Sequence, residues 1–207
     1  DHESRKSIIQ QHVLYTKGLL YFISSDVRVP EKVRQEMRSY GYPKDEYVDN
    51  DHFSHQLYVR EARRMVGSYI MSAHDCLRKT KINDAIAYGS YTIDSHNCKR
   101  VVVDGMAKNE GNVQIPLTRP YSIPYHILTP KKNECTNLLV PVCVSASHLA
   151  YGSLRMEPVF MSLGQVAGMA AVYSLESKIA VQEVAVSKIQ EKLKNDPFLD
   201  GKKPEII

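Results

Sequence analysis

The sequence predicts an α+β fold: a helical N-terminal part, a mixed sheet, then a buried strand and a helix. Three observations predict it. Apolar residues recur at a 3.6-residue period near the start, β-like runs with turn signals fill the middle, and an apolar run followed by a Pro-started helical pattern occupies the last third. The chain has 207 residues, 43% of them hydrophobic and 24% charged, with Gly and Pro at 10 each. That composition builds a core and excludes disordered and collagen-like chains.

The first helix is expected from Ser4 to about Ile23, with Ile8, Ile9, Val13, Leu19, Leu20 and Ile23 at helical spacing. Pro30 signals a second, short and polar helix, with Gly41 as a left-handed terminator. Tyr42 to His55, rich in Asp, Asn and His, reads as a loop. Strands are expected at Ile86 to Ile93, Arg100 to Val103 and Tyr125 to Leu128, with a hairpin turn at Asp104-Gly105. Gly67 reads as a bulge or a close backbone approach.

Leu138 to Val144 is a continuous apolar run, expected to be a strand buried on both faces. Ser145 to Met156 reads as a loop, and Glu157-Pro158 opens a helix to about Leu175. Gly164, Ala167, Gly168 and Ala171 share one face of it; interior glycines cost about 1 kcal/mol each relative to Ala, which predicts a close-packed neighbour. A last helix is expected over about Val184 to Lys194. The expected divisions are 1–57, a helical segment and loop; 58–135, a mixed-sheet region; and 136–207, the last strand and helices.

The charge and motif inventory narrows the function classes. The net charge is only +4, with no basic run longer than pairs such as Arg63-Arg64 and Lys202-Lys203, so no nucleic-acid partner is expected. The longest unbroken apolar run falls far short of the ~20 residues of a membrane span, so no membrane partner is expected. Four cysteines without a C-x-x-C pair leave the redox compartment open, and the start Asp1-His2-Glu3-Ser4 carries no signal-peptide pattern and reads as cut from something longer. His52-x-x-His55 and His74-Asp75-Cys76 lack a third ligand at zinc spacing, so no metal site is expected. No G-x-S-x-G or Gly-rich phosphate loop occurs. Arg60, Arg63 and Arg64 read either as a site for an anionic substrate or as a solvated charged edge.

The run from Asn137 through Ala171, containing Val142-Cys143-Val144-Ser145, Leu154-Arg155-Met156-Glu157-Pro158 and Gly164-Gln165-Val166-Ala167-Gly168, resembles the C-terminal flavin-contacting motif of a bacterial FAD-dependent oxidoreductase family. Some members of that family are labelled xanthan lyase-like. Tyr58 to Gly67, Asp94 to Asn97 and Pro120 to His126 resemble it in the same order. The resemblance implies the C-terminal portion of a two-domain flavoprotein, whose last strand and helix complete an FAD domain. Its Gly-rich pyrophosphate loop would lie in a missing N-terminal dinucleotide-binding segment, so this chain alone is expected to be inactive.

By that resemblance the cofactor is FAD, contacted by Val142, Cys143, Ser145, Met156, Glu157, Pro158 and Met161. The reaction is hydride transfer from a CH–OH or CH–NH group of a small-molecule substrate. His148, His96 and Arg155 are the expected catalytic residues, one histidine as base and Arg155 as partner of an anion or of flavin charge. Arg63, Arg64 and Tyr151 are the expected substrate-binding residues. A non-catalytic carbohydrate-associated module is the alternative, suggested by 13 Tyr and opposed by the absence of Trp.

Overall fold

The computed structural model describes residues 1–198 apart from Val59, Ala62 and Cys98, so the Lys202-Lys203 pair also lies outside the description. The chain divides into two units, Asp1–Val59 and Arg60–Ile207.

In the first unit, helix α1 (His2–Ser25) begins earlier than the apolar period suggested, because the Asp1 side chain accepts the Ser4 N–H at 2.8 Å and caps it. None of its residues is buried. Helix α2 (Glu31–Arg38) follows Pro30, and the Arg38 guanidinium reaches back to the Ser24 carbonyl at 2.8 Å. Ser39 closes α2 in the right-handed region, so Gly41 is not its terminator. The expected loop follows, interrupted by one 3-10 turn at Val48–Asn50.

The second unit is α+β, and among the described residues its strands form three separate antiparallel pairs instead of one mixed sheet. After the single-turn helix α3 (Ala73–Cys76) come β1 (Ala85–Gly89), β2 (Ile93–Ser95), β3 (Lys99–Val103), β4 (Met106–Glu110), β5 (Val113–Ile115) and β6 (Tyr121–Pro124). β1 pairs with β6, β2 with β5 and β3 with β4. The β3–β4 turn is the expected one: Asp104 and Gly105 have φ of 54° and 73°, the signature of a type I′ hairpin. Tyr125–Leu128, expected as a strand, is a 3-10 turn after Pro124. Its buried Tyr125, Ile127 and Leu128 produced the β-like apolar pattern.

Leu138 to Val144 is a further correction. The segment is irregular: Leu138 and Val142 are half exposed, and only Val144 of the run is fully buried. Pro141 supplies no N–H for a ladder. Single main-chain bonds tie the segment down instead. Val140 and Ser145 N–H donate to the Leu128 and Ile127 carbonyls, while Met65 and Met71 N–H donate to those of Cys143 and Ser145. Gly67 is the expected close approach: a Cβ there would stand 2.3 Å from the Thr129 carbonyl oxygen, and its N–H donates to Ser145 Oγ.

The stretch expected as a loop contains helix α4 (His148–Leu154), capped by Ser147 through the Ala150 N–H. Helix α5 (Glu157–Ser177) and helix α6 (Val186–Asn195) complete the unit. One core cluster draws on Met71, Ile93, Ile123, Leu154, Leu163 and Ile189, residues from all along the unit. By length and composition α5 could cross a membrane, with a window of mean hydropathy 1.3 that a search for unbroken apolar runs passes over. It serves as a core helix, burying Val159, Leu163, Val166, Ala167, Met169, Ala170 and Ser174.

Gly164 and Gly168 do not face a close neighbour. A Cβ on either would meet open space, and they lie on an exposed stripe with Met161, Val172 and Leu175. In the 207-residue chain Gly168→Ala is therefore expected to stabilise by about 1 kcal/mol through helix propensity, read by urea denaturation. A loss of stability would show that the face is covered.

His126 Nδ1 lies 2.7 Å from Asp84 Oδ2. That hydrogen bond holds the imidazole above its usual 6.5, although burial pulls it down. Burial opposes the Asp84 carboxylate, but hydrogen bonds from the His126 ring and main chain outweigh it and hold the carboxyl below 3.8. The histidine's contribution is complete below pH 6.5 and is lost as pH rises through the raised value. The carboxylate's is complete above pH 3.8 and is lost as pH falls through the lowered one. Urea denaturation should show the stability from this pair greatest between these limits, with the alkaline decline flattened in His126→Asn.

Candidate functional site

The polar centre of the second unit lies where β2 meets α4. Gly152 of α4 makes the approach possible: a Cβ there would stand 2.7 Å from the Asp94 carbonyl oxygen. The helix therefore packs directly on the β2 backbone. Its two ends then carry His148 and Arg155 to the two sides of Asp94-Ser95.

Arg155 Nη2 lies 2.9 Å from Asp94 Oδ2 and 3.3 Å from the Asp94 carbonyl, with both side chains nearly buried (7% and 10% exposed). Its Nε is buried with no hydrogen-bond partner among the described residues. His96 Nε2 lies 2.7 Å from the same Asp94 Oδ2, and Arg60 Nη1 lies against the His96 ring at 2.6 Å. On the other side, His148 Nε2 lies 2.6 Å from Ser95 Oγ and His148 Nδ1 lies 2.6 Å from Glu61 Oε2. Arg64 holds the Glu61 carboxylate at 3.1 Å, donates through Nε to the Ala146 carbonyl, and places its guanidinium 5.3 Å from the Tyr151 ring centre.

The structure thus brings together six residues expected from the sequence: His148, His96, Arg155, Arg60, Arg64 and Tyr151. Arg63 is exposed and lies outside this network. Three members were missed: Glu61, Asp94 and Ser95. Their signal was present, since Glu61 and the Asp94-Ser95-His96 triplet lie within two of the segments that carry the resemblance.

The expected cofactor residues fall in two groups. The Val142 carbonyl accepts the Tyr151 hydroxyl, the Cys143 carbonyl accepts the Met65 N–H, and Ser145 Oγ is occupied by Gly67. Met156, Glu157, Pro158 and Met161 stand at the start of α5. Met156 at the N-cap offers no side-chain acceptor, so the first-turn N–H groups have no side-chain cap. A cleft of about 520 Å³ opens at this helix end, lined by Tyr88, Tyr91, Met156, Glu157 and Pro158 among others.

The sequence profile of a family described as FAD dependent oxidoreductase matches residues 1–193. The chain belongs to that family. No curated protein and no solved structure matches it. The oxidoreductase uses FAD as its cofactor. The family match gives no support to the carbohydrate-module alternative, and Tyr121 and Tyr125, which contributed to its Tyr count, are core residues whose hydroxyls bond Ser153 Oγ and the Val181 carbonyl.

The residues present fit one end of that cofactor. An uncapped helix terminus beside an open cleft suits the pyrimidine edge of a flavin, where N–H donors and the positive helix end favour negative charge. A phosphate cradle is a different matter, since no G-x-G-x-x-G occurs in these 207 residues.

Proposed function

We propose that the chain supplies the substrate side and the flavin-facing helix of an enzyme that oxidises a CH–OH or CH–NH group by hydride transfer. The observation that supports this reading is a pair of polar clusters, Glu61–His148–Ser95 and Arg155–Asp94–His96, that adjoin at Asp94-Ser95 where α4 runs into the uncapped start of α5. Bound FAD supplies the hydride acceptor. Met156, Glu157, Pro158 and Met161 hold its ring end, while Val142, Cys143 and Ser145 border it through the segment leading into α4.

His148 takes the substrate proton. Glu61, fixed by Arg64, orients the imidazole through Nδ1 and stabilises the cation that forms. Arg155 is pre-organised by Asp94 and keeps its Nε for an anionic group of the substrate or for charge on the flavin. His96 and Tyr151 complete the substrate side. The pyrophosphate and adenine contacts come from a dinucleotide-binding segment outside residues 1–207, and the chain alone is inactive.

The test is anaerobic mixing of the FAD-loaded enzyme with a panel of hydroxy acids, polyols, sugars and amines while the visible flavin band is followed. Bleaching by a member of the panel supports the reading. A flavin reduced only by a nicotinamide donor would overturn it.

A further inference from the structure

We propose that Ser95 is a further catalytic residue, a proton relay between the substrate and His148. The inference rests on the reading of His148 as the base. Both ring nitrogens of His148 are already engaged, Nδ1 by Glu61 Oε2 at 2.6 Å and Nε2 by Ser95 Oγ at 2.6 Å. A carboxylate only accepts, so in the neutral ring Nδ1 carries the hydrogen and Nε2 accepts from the Ser95 hydroxyl. Among the described residues, the path by which this imidazole takes a proton while keeping both of these bonds runs through Ser95 Oγ.

The surroundings suit that role. Ser95 is 5% exposed, so its hydroxyl is largely shielded from solvent, while the His148 side chain beside it is 37% exposed. β2 fixes its backbone through pairing with β5, where Ser95 stands opposite Val113. The charged and titratable groups around the relay are Arg60, Glu61 and Arg64 from the segment preceding α3, Asp94 and His96 on either side of Ser95, and Tyr151 of α4 with Arg155 at its C-cap. Glu61 balances the imidazolium that the relay creates, and Asp94 is committed to Arg155 and His96, which leaves Ser95 bonded to the histidine and not to the neighbouring carboxylate.

The step balances as a two-electron oxidation. The substrate O–H or N–H bond breaks as its proton passes to Ser95 Oγ, and the original Ser95 proton passes to His148 Nε2. The C–H bond delivers its electron pair as hydride to the bound flavin, so the carbon is oxidised and the flavin reduced.

The constellation also has the order of atoms of a serine nucleophile, its base and an acid. The relay differs in outcome, because Ser95 forms no bond to carbon.

Three variants of the FAD-loaded enzyme decide between these readings. Ser95→Ala should slow flavin reduction about 10²-fold with substrate affinity unchanged, and Ser95→Thr should restore most of the rate. A proton inventory in mixed light and heavy water should curve for the native enzyme, with two protons in flight, and become linear in Ser95→Ala. A residue that merely held the ring in place would slow the reaction without changing that shape. On the 207-residue chain without flavin, ¹⁵N spectra of the neutral His148 ring should show Nδ1 protonated and Nε2 hydrogen-bonded, with Nε2 released in Ser95→Ala. If His148→Gln slows reduction but Ser95→Ala does not, or if the inventory is linear in the native enzyme, the relay is wrong and the base assignment stands. Should His148→Gln leave the rate untouched, the base assignment itself falls. Labelling of Ser95 by a fluorophosphonate would make it a nucleophile and overturn the relay.

Discussion

His148→Gln is expected to slow flavin reduction in the FAD-loaded enzyme about 10²–10⁴-fold, the range general-base removal usually costs. Glutamine keeps the length and a polar end group but cannot accept a proton. Glu61 and Ser95, each 2.6 Å from the ring in the native protein, would lose the group through which charge passes between them. The imidazole is only part-buried, at 37% side-chain exposure, so its removal should cost the fold little. Rapid mixing with substrate reads the rate and urea denaturation reads the stability. A rate within threefold of native would remove His148 from the chemistry.

Asp94→Ala should have the larger effect on the fold, a loss of about 3–5 kcal/mol, the range seen when one partner of a buried ion pair is removed. The Arg155 side chain is 7% exposed and that of Asp94 10%, and the guanidinium already has one buried nitrogen without a partner. Deleting the carboxylate would leave a buried cation with little beyond the Asp94 carbonyl at 3.3 Å. Arg155→Met in the same chain should recover much of the loss, because the uncompensated charge leaves with it. A loss below about 1 kcal/mol in urea denaturation of Asp94→Ala would show that the pair is open to solvent.

Much of the second unit was legible where local chemistry decides. Asp104-Gly105 fixes its hairpin because both positions take φ above 50°, and α5 is announced by Glu157-Pro158. The misreadings share a cause, since apolar content reports burial more directly than backbone conformation. Tyr125 to Leu128 are buried in a 3-10 turn, and Leu138 to Val144 run irregularly past Pro141 with two of their large side chains half exposed. Two interior glycines cost helix stability and so predict a contact for the small face of α5, yet no described residue reaches them. At the site, the histidines and Arg155 could be found from residue type and resemblance. The local His96–Asp94 pair lies two residues apart, but the pairs with His148 and Arg155 do not follow from spacing, because His148 and Glu61 are brought together across 87 residues and Arg155 and Asp94 across 61.

The most direct test of hydride removal at this site uses the substrate that bleaches the flavin, with deuterium at the carbon to be oxidised. Followed anaerobically by rapid mixing, flavin reduction in the native enzyme should show a primary isotope effect of several-fold, and in His148→Gln the reaction should be slower with that effect retained. A flavin reduced at the same rate by the protiated and deuterated substrates, across the pH range and at saturating concentration, would contradict the account.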